Sequence, residues 1–302
     1  MMRTEAEQRE VFEQLKPQLP ERYAEVAELL DETLLHEWWR AKLDLYRDTI
    51  VHSLRWDFMR VPGISDQLVG NPEKQEPLVP MLSKLLFRRK TAWLGRDYVG
   101  EPFPTTIGRV ETSMDVVRAG YHWMRLLKEM GEEAFTQTSV FVEWGGGYGC
   151  LAKTIRRFYE AHEVDPPTYV IVDLPVTSIL QWIVLNTVFA PEDVHLLTPS
   201  NAYDGIKQGV INLLPHGLAR ETVIDPDIFV GTWSLSESTP EATYLCEELG
   251  WFNSRWAILG YGTGLTGSAD PLIRAMHEGY SNVITEHPPD AGGMTLALCG
   301  KD

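Results

Sequence analysis

From Ala6 to Ile50 the apolar residues of AEQREVFEQLKPQLPERYAEVAELLDETLLHEWWRAKLDLYRDTI recur three and four apart. That is the period of a helix burying one face, and Pro17 and Pro20 cut it into pieces. The chain turns loop-rich from MRVPGISDQLVGNPEKQEPLVP, and a further helix falls around PMLSKLLFRRKTAWL. The stretch VGEPFPTTIGR, with two prolines and two glycines, reads as a loop. ETSMDVVRAGYHWMRLLKEMG then reads as a helix that Thr112 or Ser113 can cap and Gly131 can stop.

Beyond Thr138 the pattern changes. Short β-branched or aromatic runs follow one another: SVFVEW, TYVIVDL, DVHLLT, GVINLL, DIFVGTW, RWAILGYG, SNVITEH and MTLALCG. Between several of them lie helical segments, GCLAKTIRRFYEAH, PVTSILQWIVLNTVF, TPEATYLCEELGW and DPLIRAMHEG. Such alternation predicts an α/β fold, a mostly parallel sheet of seven strands or slightly more. Only PPDAGG separates the last two runs, too short for a crossover helix, so the sheet should end in an antiparallel pair. The expected organisation is a helical N-terminal region over 1–130, serving as lid, acceptor pocket or oligomer interface, and a ligand-binding domain over 131–302.

Composition narrows the function. The 302 residues are 44% hydrophobic and 23% charged, which suits a globular core. A formal net charge of -16 argues against nucleic acid and against anionic membranes. The longest apolar stretch, Val176 to Ala190, is interrupted by Gln181 and Asn186 and reads as a buried helix, too short to span a bilayer. Three scattered cysteines, Cys150, Cys246 and Cys299, make neither a disulfide framework nor a zinc site, and with the polar N-terminus they point to a cytoplasmic protein. No metal-ligand spacing occurs, and no Gly-x-Ser-x-Gly elbow.

The candidate chemistry starts at VFVEWGGGYG, where a strand ends in Glu143 and meets Gly145, Gly146, Gly147 and Gly149 before a helix. Glycines there let the backbone approach a ligand and adopt positive φ. A phosphate-cradling loop would need Gly-Lys-Ser/Thr, which is missing. A dinucleotide turn would need a third glycine where Cys150 stands; a small residue is tolerated there, so that reading stays open. The acidic strand end favours a cationic ligand and repels a pyrophosphate. Asp173, closing the run TYVIVD, suits the two ribose hydroxyls of an adenosine, or caps the helix that Pro175 begins.

The Glu143–Gly149 pattern resembles the first motif of class I S-adenosylmethionine-dependent methyltransferases. VEWGGGYGCLA, VIVDLP with Gln181 behind it, and VGTWSLSES together are similar to the bacterial sugar O-methyltransferase family. The similarity runs from about Glu101 to Thr239, and departs at Gly231 and Ser238, where that family has Asn and Met. The resemblance implies a Rossmann-like class I methyltransferase fold and S-adenosylmethionine as co-substrate. It implies a donor site of Glu143, Gly145, Gly146, Gly147, Tyr148, Gly149, Asp173, Leu174, Thr232 and Trp233, and methyl transfer to a sugar hydroxyl.

A sugar hydroxyl is a poor nucleophile until a base takes its proton. Glu237 matches the glutamate of the family motif and is the first candidate; it also suits a helix start. His287, on the loop after the SNVITE run, has the ring chemistry of a base, or is simply solvated. His216 is a weaker candidate. Arg109, Trp233 and Ser236 are candidate substrate contacts, with PTTIGRVETS as a lid. Among the ten tryptophans, Trp144 and Trp233 stand at strand ends, while Trp38, Trp39, Trp56, Trp93 and Trp123 of the N-terminal part suit either the core or the lining of an acceptor pocket. The expected partners are a small acceptor and a second copy of the chain. Competing readings are transfer to an amine or phenol, a nicotinamide oxidoreductase, and a scaffold without catalysis.

Overall fold

The computed structural model describes residues 2–65, 72–86, 89–131, 133–262, 269–288 and 295–301. Ten strands are described. β1 (Pro104–Ile107) and β2 (Val110–Ser113) form an antiparallel hairpin, so the stretch read above as a loop pairs with the residues that follow it. β3 (Val140–Trp144), β4 (Thr168–Asp173), β5 (Val194–Leu196), β6 (Ile211–Pro215), β7 (Ile228–Thr232), β8 (Trp256–Tyr261), β9 (Asn282–Glu286) and β10 (Thr295–Gly300) form one sheet. Its spatial order is β5-β6-β4-β3-β7-β8-β10-β9. All pairs are parallel from β5 to β8, and β10 runs antiparallel to both β8 and β9. Every one of the eight runs picked out by sequence is a strand, and the last pair is antiparallel as its short connection requires.

The longer helices are α1 (Glu5–Leu15), α2 (Leu19–Val26), α3 (Leu78–Leu85), α4 (Met114–Met130), α5 (Cys150–Ala161), α6 (Pro175–Val188), α7 (Pro240–Glu248) and α8 (Ala269–Gly279). A capping box of Thr4 and Glu7 starts α1, and the turn at Pro17 separates it from α2. Ser113 is the N-cap residue of α4, but its hydroxyl makes no capping bond; Gly131, at φ +91°, ends the helix.

Sheet residues alternate between two buried clusters. Phe141, Tyr169, Ile171, Leu213 and Ile258 face α4, α5 and α6; Val142, Val170, Val172, Leu214 and Leu259 face α7 and α8. Because both faces of the central strands are covered, their residues are mostly apolar on either side. Helix α6 is buried along its whole length. A helix apolar all round needs cover on every side, and α1 and α2 supply the outer layer. The Arg3 guanidinium fixes that layer, donating to the free carbonyls of Asn186 and Thr187 at 2.8 Å each.

The chain leaves β3 towards β4, β6 and β5, then returns to β3's other side with β7 and β8. The order therefore reverses between β3 and β7. In an open α/β sheet the crevice beyond the strands' carboxyl ends at such a point is where ligands bind.

Candidate functional site at the strand order reversal

The sheet's carboxyl edge opens on a pocket lined by the ends of β3, β4 and β7, by α4, and by part of the N-terminal segment. Glu143 is 2% exposed on its wall. Its Oε2 accepts from the Tyr169 hydroxyl at 3.0 Å. Burial pushes its carboxyl up to about 8; the Tyr169 bond works against the rise and the Asp173 charge adds to it. A cation seated beside it would reverse that shift.

The glycine turn is built by contact as well as by dihedral angle. Gly145 sits at φ +73°, and a Cβ there would lie 2.2 Å from the Cβ of Ser234. A Cβ on Gly146 would lie 2.5 Å from Ile171 and 3.0 Å from the Glu143 carboxylate. Side chains at either position would close the space between β3 and β7 or displace Glu143.

Asp173 ends β4, half-buried at the pocket wall. It accepts from the Leu174 N–H and from Gln181 Nε2, both at 2.8 Å. Gln181 also donates to the Gly147 carbonyl at 2.9 Å, so one amide ties the second acidic position to the glycine turn. Burial raises the Asp173 carboxyl to about 7 despite these donors. Leu174, Tyr148 and Thr232 line the same pocket, and the Tyr148 hydroxyl is buried without a hydrogen-bond partner among the described residues. Gly149 does not line it; at φ +90° it packs against Leu185 and starts α5.

Trp233 follows β7 at φ +69°, a left-handed backbone unusual for a bulky residue. Its N–H donates to the Gly260 carbonyl at 3.1 Å. Its ring fills the room left at Gly260, where a Cβ would come within 2.6 Å of it. The His122 ring stands edge-on to it at 6.3 Å. Strain held at a ligand-facing residue is a frequent mark of a functional site. Glu237 lies one turn further on, lining the pocket, with its carboxyl raised by burial and lowered again by Lys42. The helix after it begins at Pro240, so Glu237 lies ahead of the first helical turn.

Other candidates fall elsewhere. Ser236 is buried beneath the pocket wall, its hydroxyl donating to the Trp233 carbonyl at 2.8 Å. His287 is exposed at the end of β9, the sheet's outer strand, with Nδ1 3.4 Å from the Thr295 hydroxyl; three strand positions separate β9 from β7. Arg109 is exposed at the β1–β2 turn, in a shallow groove with Thr106, away from the pocket. Glu237 and His287 are therefore not brought together.

The structure also adds residues that sequence reasoning missed. Asp115, Arg118 and His122 face the pocket from α4, and Leu34 and Leu35 from the N-terminal segment, which also brings in Trp39, one of the aromatics that the sequence offered for the core or an acceptor pocket. That segment is held by Thr239, which donates from its N–H to the Leu34 carbonyl and from its hydroxyl to the Thr33 carbonyl. It is held also by the Asp31 N–H, which donates to His216 Nδ1 at 3.4 Å. His216 reaches the pocket too; burial lowers its ring to about 4, so it stands neutral. Spacing of three and then four residues puts Asp115, Arg118 and His122 on one helix face. Polar residues on the face that packs inward are the signal that could have found them. Among the described residues no three His, Cys, Asp or Glu side chains come together as a metal site, and no helix is long and apolar enough to cross a membrane.

No family model and no curated protein matches the chain. Among solved structures it is similar to PigF with SAH, at 15% identity over 88% of this chain and 69% of that one, TM-score 0.37. Human N-acetylserotonin methyltransferase in complex with SAM is similar at 9% identity over 74% and 66%, TM-score 0.34. The O-methyltransferase NovP is similar at 13% identity over 76% and 99%, TM-score 0.37. The chain thus spans about two thirds of the length of the first two. With every TM-score below 0.5, the fold of this chain rests on its own strand order and its site on its own side chains.

Proposed function

We propose that this protein is an S-adenosylmethionine-dependent O-methyltransferase acting on a hydroxyl of a sugar or sugar-bearing metabolite. The observation that carries the donor assignment is one pocket, at the strand order reversal, holding Glu143, the glycine turn and Asp173 together. Glu143 is buried, its carboxylate accepting from the Tyr169 hydroxyl, and a buried acid favours an ammonium or sulfonium as ligand over a pyrophosphate. Asp173 suits the ribose hydroxyls, with Gln181 orienting its carboxylate. When bound, S-adenosylmethionine supplies the methyl group as an electrophile.

The chain's own part is to position the acceptor and to take its proton. Glu237 is our candidate base: it lines the pocket next to Trp233, and burial raises its proton affinity towards what a general base needs. The Trp233 and Trp39 rings offer flat faces for an acceptor and help exclude water. A second reading, a phenol or other apolar acceptor, is favoured by Leu34 and Leu35, which line the same pocket. The buried, unbridged cysteines fit a reducing, cytoplasmic setting.

The test is a methyl-transfer screen with S-adenosylmethionine against panels of sugars, sugar nucleotides, phenols and amines, read by mass spectrometry. The proposal expects a gain of one methylene on a sugar oxygen. It also expects that Glu237→Gln lowers kcat by about 100-fold or more with little change in donor affinity. Methylation confined to phenols would favour the second reading, and methylation confined to nitrogen would overturn both.

A further inference from the structure

Helix α4 brings three polar side chains to the pocket that the donor motif does not account for. Asp115 is 1% exposed, and its Oδ1 has no hydrogen-bond partner among the described residues. Its other oxygen is 3.6 Å from the Cys150 sulfur, at the start of α5 just beyond the glycine turn. Arg118, one turn along, is half-buried on the pocket wall. Its guanidinium has no carboxylate partner among the described residues, although Asp115 and Glu143 line the same pocket. Its charge is felt by Cys150 on one side and by His122 on the other. His122 is the residue facing Trp233.

An unpaired carboxylate oxygen in a buried setting is costly unless something else satisfies it. A guanidinium left without an anion beside buried acids is the converse of the same problem. Both are relieved at once by a ligand carrying an ammonium and a carboxylate on adjacent positions. Arg118 presents the planar fork that matches a carboxylate, and Asp115 with Glu143 presents negative charge to a cation. The order along α4 places this pair over the glycine turn, while His122 and Trp233 lie further towards β7.

We infer that Asp115 and Arg118 form a clamp for the zwitterionic α-amino-acid end of the donor, Arg118 holding its carboxylate and Asp115 sharing its ammonium with Glu143. This rests on the donor reading above and adds to it. The nucleoside is held by the β4 end, and the amino-acid end is held by a helix that precedes the sheet. Donors and products that carry the amino-acid end are then distinguished from those that lack it by two residues outside the glycine motif. The alternative source of a carboxylate or phosphate for Arg118 is the acceptor.

The experiment is calorimetric titration of the full chain with S-adenosylhomocysteine and with 5′-methylthioadenosine, which keeps the nucleoside and sulfur but lacks the amino-acid end. Arg118→Ala and Asp115→Asn should each weaken S-adenosylhomocysteine by about 10- to 100-fold and leave 5′-methylthioadenosine within about twofold, which also shows that the variants fold. Unchanged S-adenosylhomocysteine affinity in Arg118→Ala overturns the inference and assigns Arg118 to the acceptor. Equal loss of both ligands overturns it as well, because the role is then structural. If the unaltered protein binds neither ligand, the donor reading fails and the clamp falls with it.

Discussion

Glu143 joins three properties that seldom coincide: 2% exposure, a position at the end of a parallel strand, and a proton affinity raised to about 8. The raised value has a measurable sign. The folded state keeps a proton that the unfolded chain releases near its ordinary value of 4.5, so the unliganded fold loses stability as pH climbs from there towards 8. Glu143→Gln removes that loss. In thermal melts the variant should gain on the unaltered protein between about pH 5 and about pH 8, while losing the cationic ligand. A difference independent of pH would contradict this assignment. Glu143 and Asp173 could be read from the sequence because a strand period stops abruptly at each, and glycines or a proline follow. Asp115, Arg118 and His122 were hidden because their helix is apolar on most of the same face, and period alone does not say which polar residues look into a cavity. Trp233 was legible as a strand-end aromatic, but its left-handed backbone was not, since nothing local demands it.

At the scale of elements, the site depends on where α5 sits, because its first residue follows the glycine turn. A buried ion cluster sets that position. Lys153 Nζ is 2.7 Å from Asp97 Oδ2, and Arg157 Nη1 donates to the same oxygen at 2.9 Å; all three side chains are buried. Burial alone would raise the Asp97 carboxyl, but Arg157 and Lys153 hold it down to about 2. Its contribution is therefore present above the ordinary carboxylate value of 3.8 and is lost as pH falls towards 2. Asp97→Asn leaves two buried cations short of a counter-charge and should cost about 3–5 kcal/mol in denaturant unfolding at neutral pH. A cost below about 1 kcal/mol would mean that the cluster behaves like an exposed pair and does not fix α5. Strand alternation with helices was legible across 138–300 because each segment is long enough to show its period. The β1–β2 hairpin was not: its strands have four residues each, and its proline and glycines look like a loop. The lid and the Arg109 contact expected there follow from that reading, and the structure puts Arg109 at the exposed hairpin turn.

At the scale of the whole molecule, one buried cluster runs from Phe12 to Leu298, through the N-terminal helices and the sheet alike. Amphipathic spacing in the first fifty residues announced a buried face but not its partner. That partner is α6, which needs cover because it is apolar all round. The same N-terminal layer sends Leu34, Leu35 and Trp39 to the pocket, so its lining combines residues about two hundred positions apart, beyond the reach of any local pattern. The central claim is that the pocket takes a cationic adenosyl ligand and not a dinucleotide, and parallel calorimetric titrations with S-adenosylhomocysteine and NAD test it most directly. The account predicts saturable binding of S-adenosylhomocysteine to the unaltered protein, its loss in Glu143→Gln, and no binding of NAD to either. Binding of NAD without S-adenosylhomocysteine, or equal S-adenosylhomocysteine affinity with and without Glu143, would contradict it.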